Sequence, residues 1–135
     1  MKSTKKIVFD SYAILKYSQN EPGADKVETL LSACQKGKQE SFINQINLGE
    51  IYYKIIRCKG LGFAKNYLQN FSQLPIAIIP ASQEIIMSAA ELKAKHPISY
   101  SDCFVAATAL LKEASVVTGD PEFKKLEHLL TVYWI

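Results

Sequence analysis

The stretch Ile7-Val8-Phe9-Asp10-Ser11 decides how the rest of the chain is read. Its three apolar residues are β-branched or aromatic, as suits a strand covered on both faces, and an acid stands where that strand ends. Counting Lys6 into this first run (6–9), four more runs of the same kind follow at residues 41–44, 76–79, 115–118 and 131–134. Longer stretches with helical spacing separate them: 24–36, where Val27, Leu30, Leu31 and Cys34 share a face, then 48–58, 62–74, 82–95 and 101–114. Buried strands alternating with helices predict parallel pairing by crossover. The expected fold is therefore an open α/β sheet with helices on both faces, with a helical hairpin between the second and third strands.

Composition supports one compact domain over residues 1–135, with 48% hydrophobic and 21% charged residues. Sixteen basic against thirteen acidic residues leave a net charge of +3, which permits an anionic partner without demanding one. Cys34, Cys58 and Cys103 are odd in number and form no Cys-x-x-Cys pair, which argues against a disulfide framework or a zinc ribbon and for a reducing compartment. The apolar run at Ile7 is too short for a signal-peptide core, and no stretch approaches the ~20 apolar residues of a membrane span. A soluble, cytoplasmic protein is expected.

The acids carry more information by position than by number. Asp10 follows the first strand and Asp120 follows the fourth after Gly119, so both face the crevice outside the carboxyl ends of a parallel sheet. Asn47 and Glu50 begin the helix after the second strand, at the same edge. Alternation alone does not place Asp102, which joins the others only if residues 95–101 return the chain to that edge. Each residue also has a simpler use: Asp10 as a cap, Asn47 as cap of a capping box with Glu50, Ser101-Asp102 as a helix start, and Asp120 as an N-cap before Pro121. Caps alone do not explain the set. Carboxylates gathered in one place raise one another's pKa and destabilise the fold unless a cation neutralises them, and all-oxygen ligation suits Mg²⁺ or Mn²⁺.

Four stretches, Ile7 to Ser11, Asn47-x-x-Glu50, Ser101-Asp102-Cys103-Phe104-Val105-Ala106-Ala107-Thr108-Ala109 and Val116-Val117-Thr118-Gly119-Asp120-Pro121-Glu122-Phe123, together resemble a PIN domain. More narrowly they are similar to the VapC toxins of toxin–antitoxin pairs, in order and spacing over nearly the whole chain. The resemblance implies a three-layer α/β/α sandwich around a central, mainly parallel sheet of about five strands. It also implies a metal-dependent endoribonuclease whose acidic quartet is Asp10, Glu50, Asp102 and Asp120, holding Mg²⁺ or Mn²⁺ over an RNA phosphodiester. In that comparison Asp102 does reach the shared pocket, Glu50 positions or deprotonates a water, and Thr118, Asn47 and Ser11 support the acids. A small antitoxin and a second copy of the chain are the implied partners, with Ile51, Tyr52, Ile55 and Ile56 on the surface that meets one of them. Lys16, Lys54, Arg57, Lys59 and Lys65 are the basic residues placed to meet an RNA backbone, Arg57 being the only arginine. Two positions depart from the family pattern. Tyr12 replaces a small or polar residue, and Glu122 replaces an aspartate, which leaves its part in ligation open.

Other readings fare less well. A response-regulator receiver needs an acidic pair after the first strand and an acceptor aspartate after the third, where Pro80-Ala81-Ser82 stands. A haloacid-dehalogenase-type phosphatase matches Gly119-Asp120 but has Tyr12 in place of its second aspartate and Lys124 in place of another acid. A free-standing PIN nuclease and a non-cleaving PIN-like binding module remain as alternatives to the toxin. The stripe Phe63, Tyr67, Phe71, Leu74 reads as core, and His96 and His128 are isolated residues that form no zinc site.

Overall fold

The computed structural model describes residues 5–135. Five strands, β1 (Lys5–Phe9), β2 (Gln39–Asn44), β3 (Ala77–Ile79), β4 (Ser115–Thr118) and β5 (Val132–Trp134), form one sheet in the order β3-β2-β1-β4-β5, and every neighbouring pair is parallel. Helices α1 (Ser11–Ser18) and α2 (Ala24–Gln35) link β1 to β2. The hairpin α3 (Gln45–Lys59) and α4 (Leu61–Phe71) links β2 to β3. Helices α5 (Gln83–Lys95) and α6 (Tyr100–Lys112) link β3 to β4, and a short 3₁₀ helix, Pro121–Leu126, leads to β5.

Side-chain alternation along the strands creates the layers. Ile7, Phe9, Ile43 and Val117 point to one face, where they pack with Ile14, Val27, Leu31, Ile51 and Phe71 of α1 to α4. Val8, Phe42 and Val116 point to the other, where they meet Ile85, Leu92, Phe104 and Val105 of α5 and α6, with Phe123 and Leu126 of the 3₁₀ helix. The result is the expected three-layer α/β/α sandwich. The outer strands are less covered than the runs of Ile and Val suggest: Ile78 and Tyr133 are exposed because β3 and β5 are the sheet edges. The stripe on α4 likewise buries Phe71 but leaves Phe63 in solvent.

Helix α1 is not apparent from the strong apolar periods of the sequence. Asp10 starts it as N-cap, its carboxylate accepting the Ala13 N–H at 2.8 Å, and only Ser11, Ala13 and Ile14 of its eight residues are buried. The cap of α3 is Asn44, not Asn47: its side chain accepts from the Ile46 N–H, and the helix begins at Gln45, three residues before the expected start. Asn47 is instead a buried residue within the helix.

The position of Asp102 follows from the path of α6. That helix ends at Lys112 and β4 begins at Ser115, so α6 descends from the carboxyl edge of the sheet to the amino edge, packing across β1, β2 and β4 on the way. Its first turn therefore lies at the carboxyl edge, and α5 with residues 96–99 is the extra segment that brings the chain there. Among the described residues no helix is long and apolar enough to cross a membrane.

Ile43 is fully buried between α-helices and sheet. Ile43→Ala is expected to lower the unfolding free energy by roughly 2–5 kcal/mol in urea titration, whereas Leu61→Ala, at a position 50% exposed, should change it by only about 0.5 kcal/mol.

Candidate active site

A cleft of about 400 Å³ opens at the carboxyl edge of the sheet, lined by Asp10, Ser11, Tyr12, Glu50, Lys54, Ser101, Asp102, Asp120 and Glu122, with Lys16 and Glu21 at one side. Four different connections supply these residues. Asp10 follows β1, Glu50 lies one turn into α3, Asp102 is in the first turn of α6, and Asp120 follows β4. A parallel sheet sends all of these segments out of one edge, and so residues more than a hundred positions apart share one cleft.

Hydrogen bonds fix Asp10, Asp120 and Glu50 in turn. Asp10 is 1% exposed. One oxygen accepts the Ala13 N–H and the other accepts the Thr118 hydroxyl. That same hydroxyl oxygen accepts the Asp120 N–H at 2.9 Å, and the Asp120 carboxylate accepts the Glu122 N–H at 3.0 Å. Thr118 thus joins the first acid to the last. On the other side, the hydroxyls of Ser11 and Ser101 both donate to Glu50, and the Lys54 ammonium lies 3.7 Å from it. Asn47 donates from Nδ2 to the Ser101 carbonyl at 3.0 Å, which holds α3 against the first turn of α6. Its Oδ1 is buried without a hydrogen-bond partner.

Burial dominates the electrostatics. It pushes the Asp10 carboxyl up to about 7, against the lowering effect of its two hydrogen bonds, with the charges of Asp120 and Glu50 adding to the rise. Asp102 is raised chiefly by burial and then by the Glu122 carboxylate beside it, while Glu122, bonded to Asp102, is held below its ordinary value.

Asp102, Asp120 and Glu122 bring carboxylate oxygens within 4.8 Å of one another. Such an all-oxygen, multiply anionic donor set fits a hard divalent ion such as Mg²⁺ or Mn²⁺. Glu122 is therefore part of the closest acidic group, while Asp10 and Glu50 flank it. Of the five basic residues expected to meet RNA, Lys16 and Lys54 line the cleft, and Lys16 pairs with Glu21 at 2.7 Å. Arg57 is exposed with its guanidinium over the Tyr53 ring, and it does not line the cleft. His96 and His128, distant in sequence, have ring centroids 5.6 Å apart, and neither lines the cleft. Lys54 as a partner for Glu50 is absent from the sequence expectations, although their four-residue spacing on a helix is the signal for such a pair.

A family model for the PIN domain matches residues 7–129. No curated protein matches the chain in sequence. Among solved structures, it is similar to VapBC2 from Rickettsia felis bound to a promoter DNA fragment, with a TM-score of 0.72 at 19% identity, covering 96% of this chain and 99% of that one. It is also similar to DNA-bound VapBC from Salmonella typhimurium (TM-score 0.73, 14% identity, 96% and 98% covered). A third is Mycobacterium tuberculosis VapC20, described as a toxin that cleaves the sarcin–ricin loop (0.70, 15%, 87% and 92%). These likenesses establish a shared fold at low identity, and the match over nearly the whole length establishes the family: the chain belongs to the PIN domain family.

Proposed function

We propose that this chain is a Mg²⁺- or Mn²⁺-dependent endoribonuclease and the toxin of a VapBC-type toxin–antitoxin pair, acting in the cytoplasm as a homodimer. The observation that carries the reading is the convergence of Asp10, Glu50, Asp102, Asp120 and Glu122 on one cleft. Two of these acids are raised by burial, an arrangement that costs stability unless a cation occupies it. The VapBC complexes of similar fold support a small antitoxin as partner, and the sarcin–ricin loop toxin supports RNA as substrate.

Asp102, Asp120 and Glu122 would hold the ion directly, and Asp10 would complete the site from beside them. When bound, the ion supplies Lewis acidity toward the phosphate oxygens. The protein's own residues supply position. Thr118 and the Ala13 N–H aim the Asp10 carboxylate, and Thr118 also fixes the backbone of Asp120. Glu50 is oriented by Ser11 and Ser101, so that it can align a water for attack and accept its proton. Lys54 and Lys16 offer positive charge at the cleft to the RNA backbone.

Asp10→Asn and Asp120→Asn should each lower RNA cleavage by at least about 10²-fold while leaving the circular dichroism spectrum unchanged, and a chelator should abolish cleavage by the native protein. Full activity in both variants would overturn the assignment.

The raised carboxyls also predict the pH dependence of stability. A group whose folded-state pKa lies above its unfolded one binds its proton more tightly when folded, so its contribution is complete below about pH 4 and is lost as pH rises through its folded pKa. With Asp10 at about 7 and Asp102 also raised, the Tm of the metal-free protein should fall between about pH 4 and pH 8; ionising Asp10 alone costs on the order of 4 kcal/mol. Added Mn²⁺ should recover Tm more strongly at pH 8 than at pH 5. Differential scanning fluorimetry measures both trends, and a metal-free Tm that rises over this range would contradict the acidic cluster's unfavourable charge.

A further inference from the structure

Tyr12 is the feature of the cleft that the acidic chemistry does not use. It lies two positions after Asp10 and lines the cleft while remaining 37% exposed. Its ring is held from two sides. The edge bearing Cε1 packs so closely against Gly119 that a Cβ there would lie 2.4 Å from Cε1, and the Lys16 ammonium sits over the ring 5.2 Å from its centroid. Gly119 does not adopt a positive φ. Backbone freedom therefore does not explain the glycine; room for the Tyr12 ring does. Lys16 is itself fixed by its 2.7 Å ion pair with Glu21.

We propose that Tyr12 is a nucleobase platform that stacks a base of a nucleotide flanking the cleaved phosphate. The proposal rests on the nuclease reading above and assigns that site a base-binding residue. With the Lys16 ammonium over one face of the ring, the base stacks on the other, and ring and cation together match the two halves of a nucleotide, an aromatic face and an anionic phosphate. An aromatic ring fixed before binding also loses little conformational entropy on taking up a base.

The test first maps the cut that the wild-type protein makes in an RNA transcript with Mn²⁺. Steady-state kinetics then follow on a single-stranded oligoribonucleotide spanning that cut, for the wild type, Tyr12→Trp and Tyr12→Leu. Leucine fills space but offers no flat face. Tyr12→Leu should raise KM by roughly 5- to 150-fold, the range of base–aromatic stacking, with kcat nearly unchanged, and Tyr12→Trp should retain the wild-type KM. Removing the flanking base to leave an abasic nucleotide should penalise the wild type similarly and Tyr12→Leu hardly at all. An unchanged KM in Tyr12→Leu, or no abasic penalty in the wild type, would overturn the platform while leaving the nuclease reading intact; the abasic comparison needs no variant to fold. If the wild type does not cut RNA, the nuclease reading fails instead. Fluorescence anisotropy of a labelled uridine oligonucleotide on the wild type and Tyr12→Leu then decides the platform alone: weaker binding by the variant supports it and equal binding overturns it.

Discussion

A carboxylate with almost no solvent contact, Asp10, ties the structure together. It stands where the central strand β1 ends, caps the helix that follows, and receives the hydroxyl of Thr118 from the neighbouring strand. Burying a charge at such a point is unfavourable in itself, and the compensation comes from the two hydrogen bonds and from whatever positive charge the cleft can recruit. The rest of the site follows from that tension. Thr118 is positioned by the sheet, Asp120 is positioned by Thr118, and Glu122 is positioned by Asp120.

Much of this was legible in the sequence because parallel α/β folds write their layers as buried runs and their sites at strand ends. Ile7 to Phe9 announced β1, and the position of Asp10 directly after it located the cleft. Thr118-Gly119-Asp120 did the same for β4. Other features were hidden for definite reasons. Helix α1 buries so little of its surface that its apolar period is faint, and two Asn residues three apart, Asn44 and Asn47, both suit a helix start, so that only the path of the backbone decides between them. Asp102 was ambiguous because the direction of a helix in a two-helix connection cannot be read from its residues.

Side-chain direction set the remaining limit. Composition and spacing placed Lys16, Lys54 and Arg57 in one basic group, yet only the first two line the cleft while Arg57 lies over Tyr53. Glu122 shows the reverse: one residue type in an uncertain role becomes a member of the closest carboxylate group once the 3₁₀ helix turns it back toward Asp102. A charge count near neutrality therefore conceals a cleft of concentrated negative charge with lysines at its margin.

The strand order carries a consequence for biosynthesis. β4 lies between β1 and β5, so the inner neighbour of β1 on that side is made late, and Asp10 waits more than a hundred residues for the hydroxyl of Thr118. A growing chain can pair β1 with β2 and lay down the first four helices while half of the acidic cleft is still unsynthesised. The catalytic constellation proposed for this protein is thus withheld from every nascent intermediate that ends before residue 122. For a protein whose proposed substrate is RNA, the order of the strands itself delays activity until translation has passed the last of its acids.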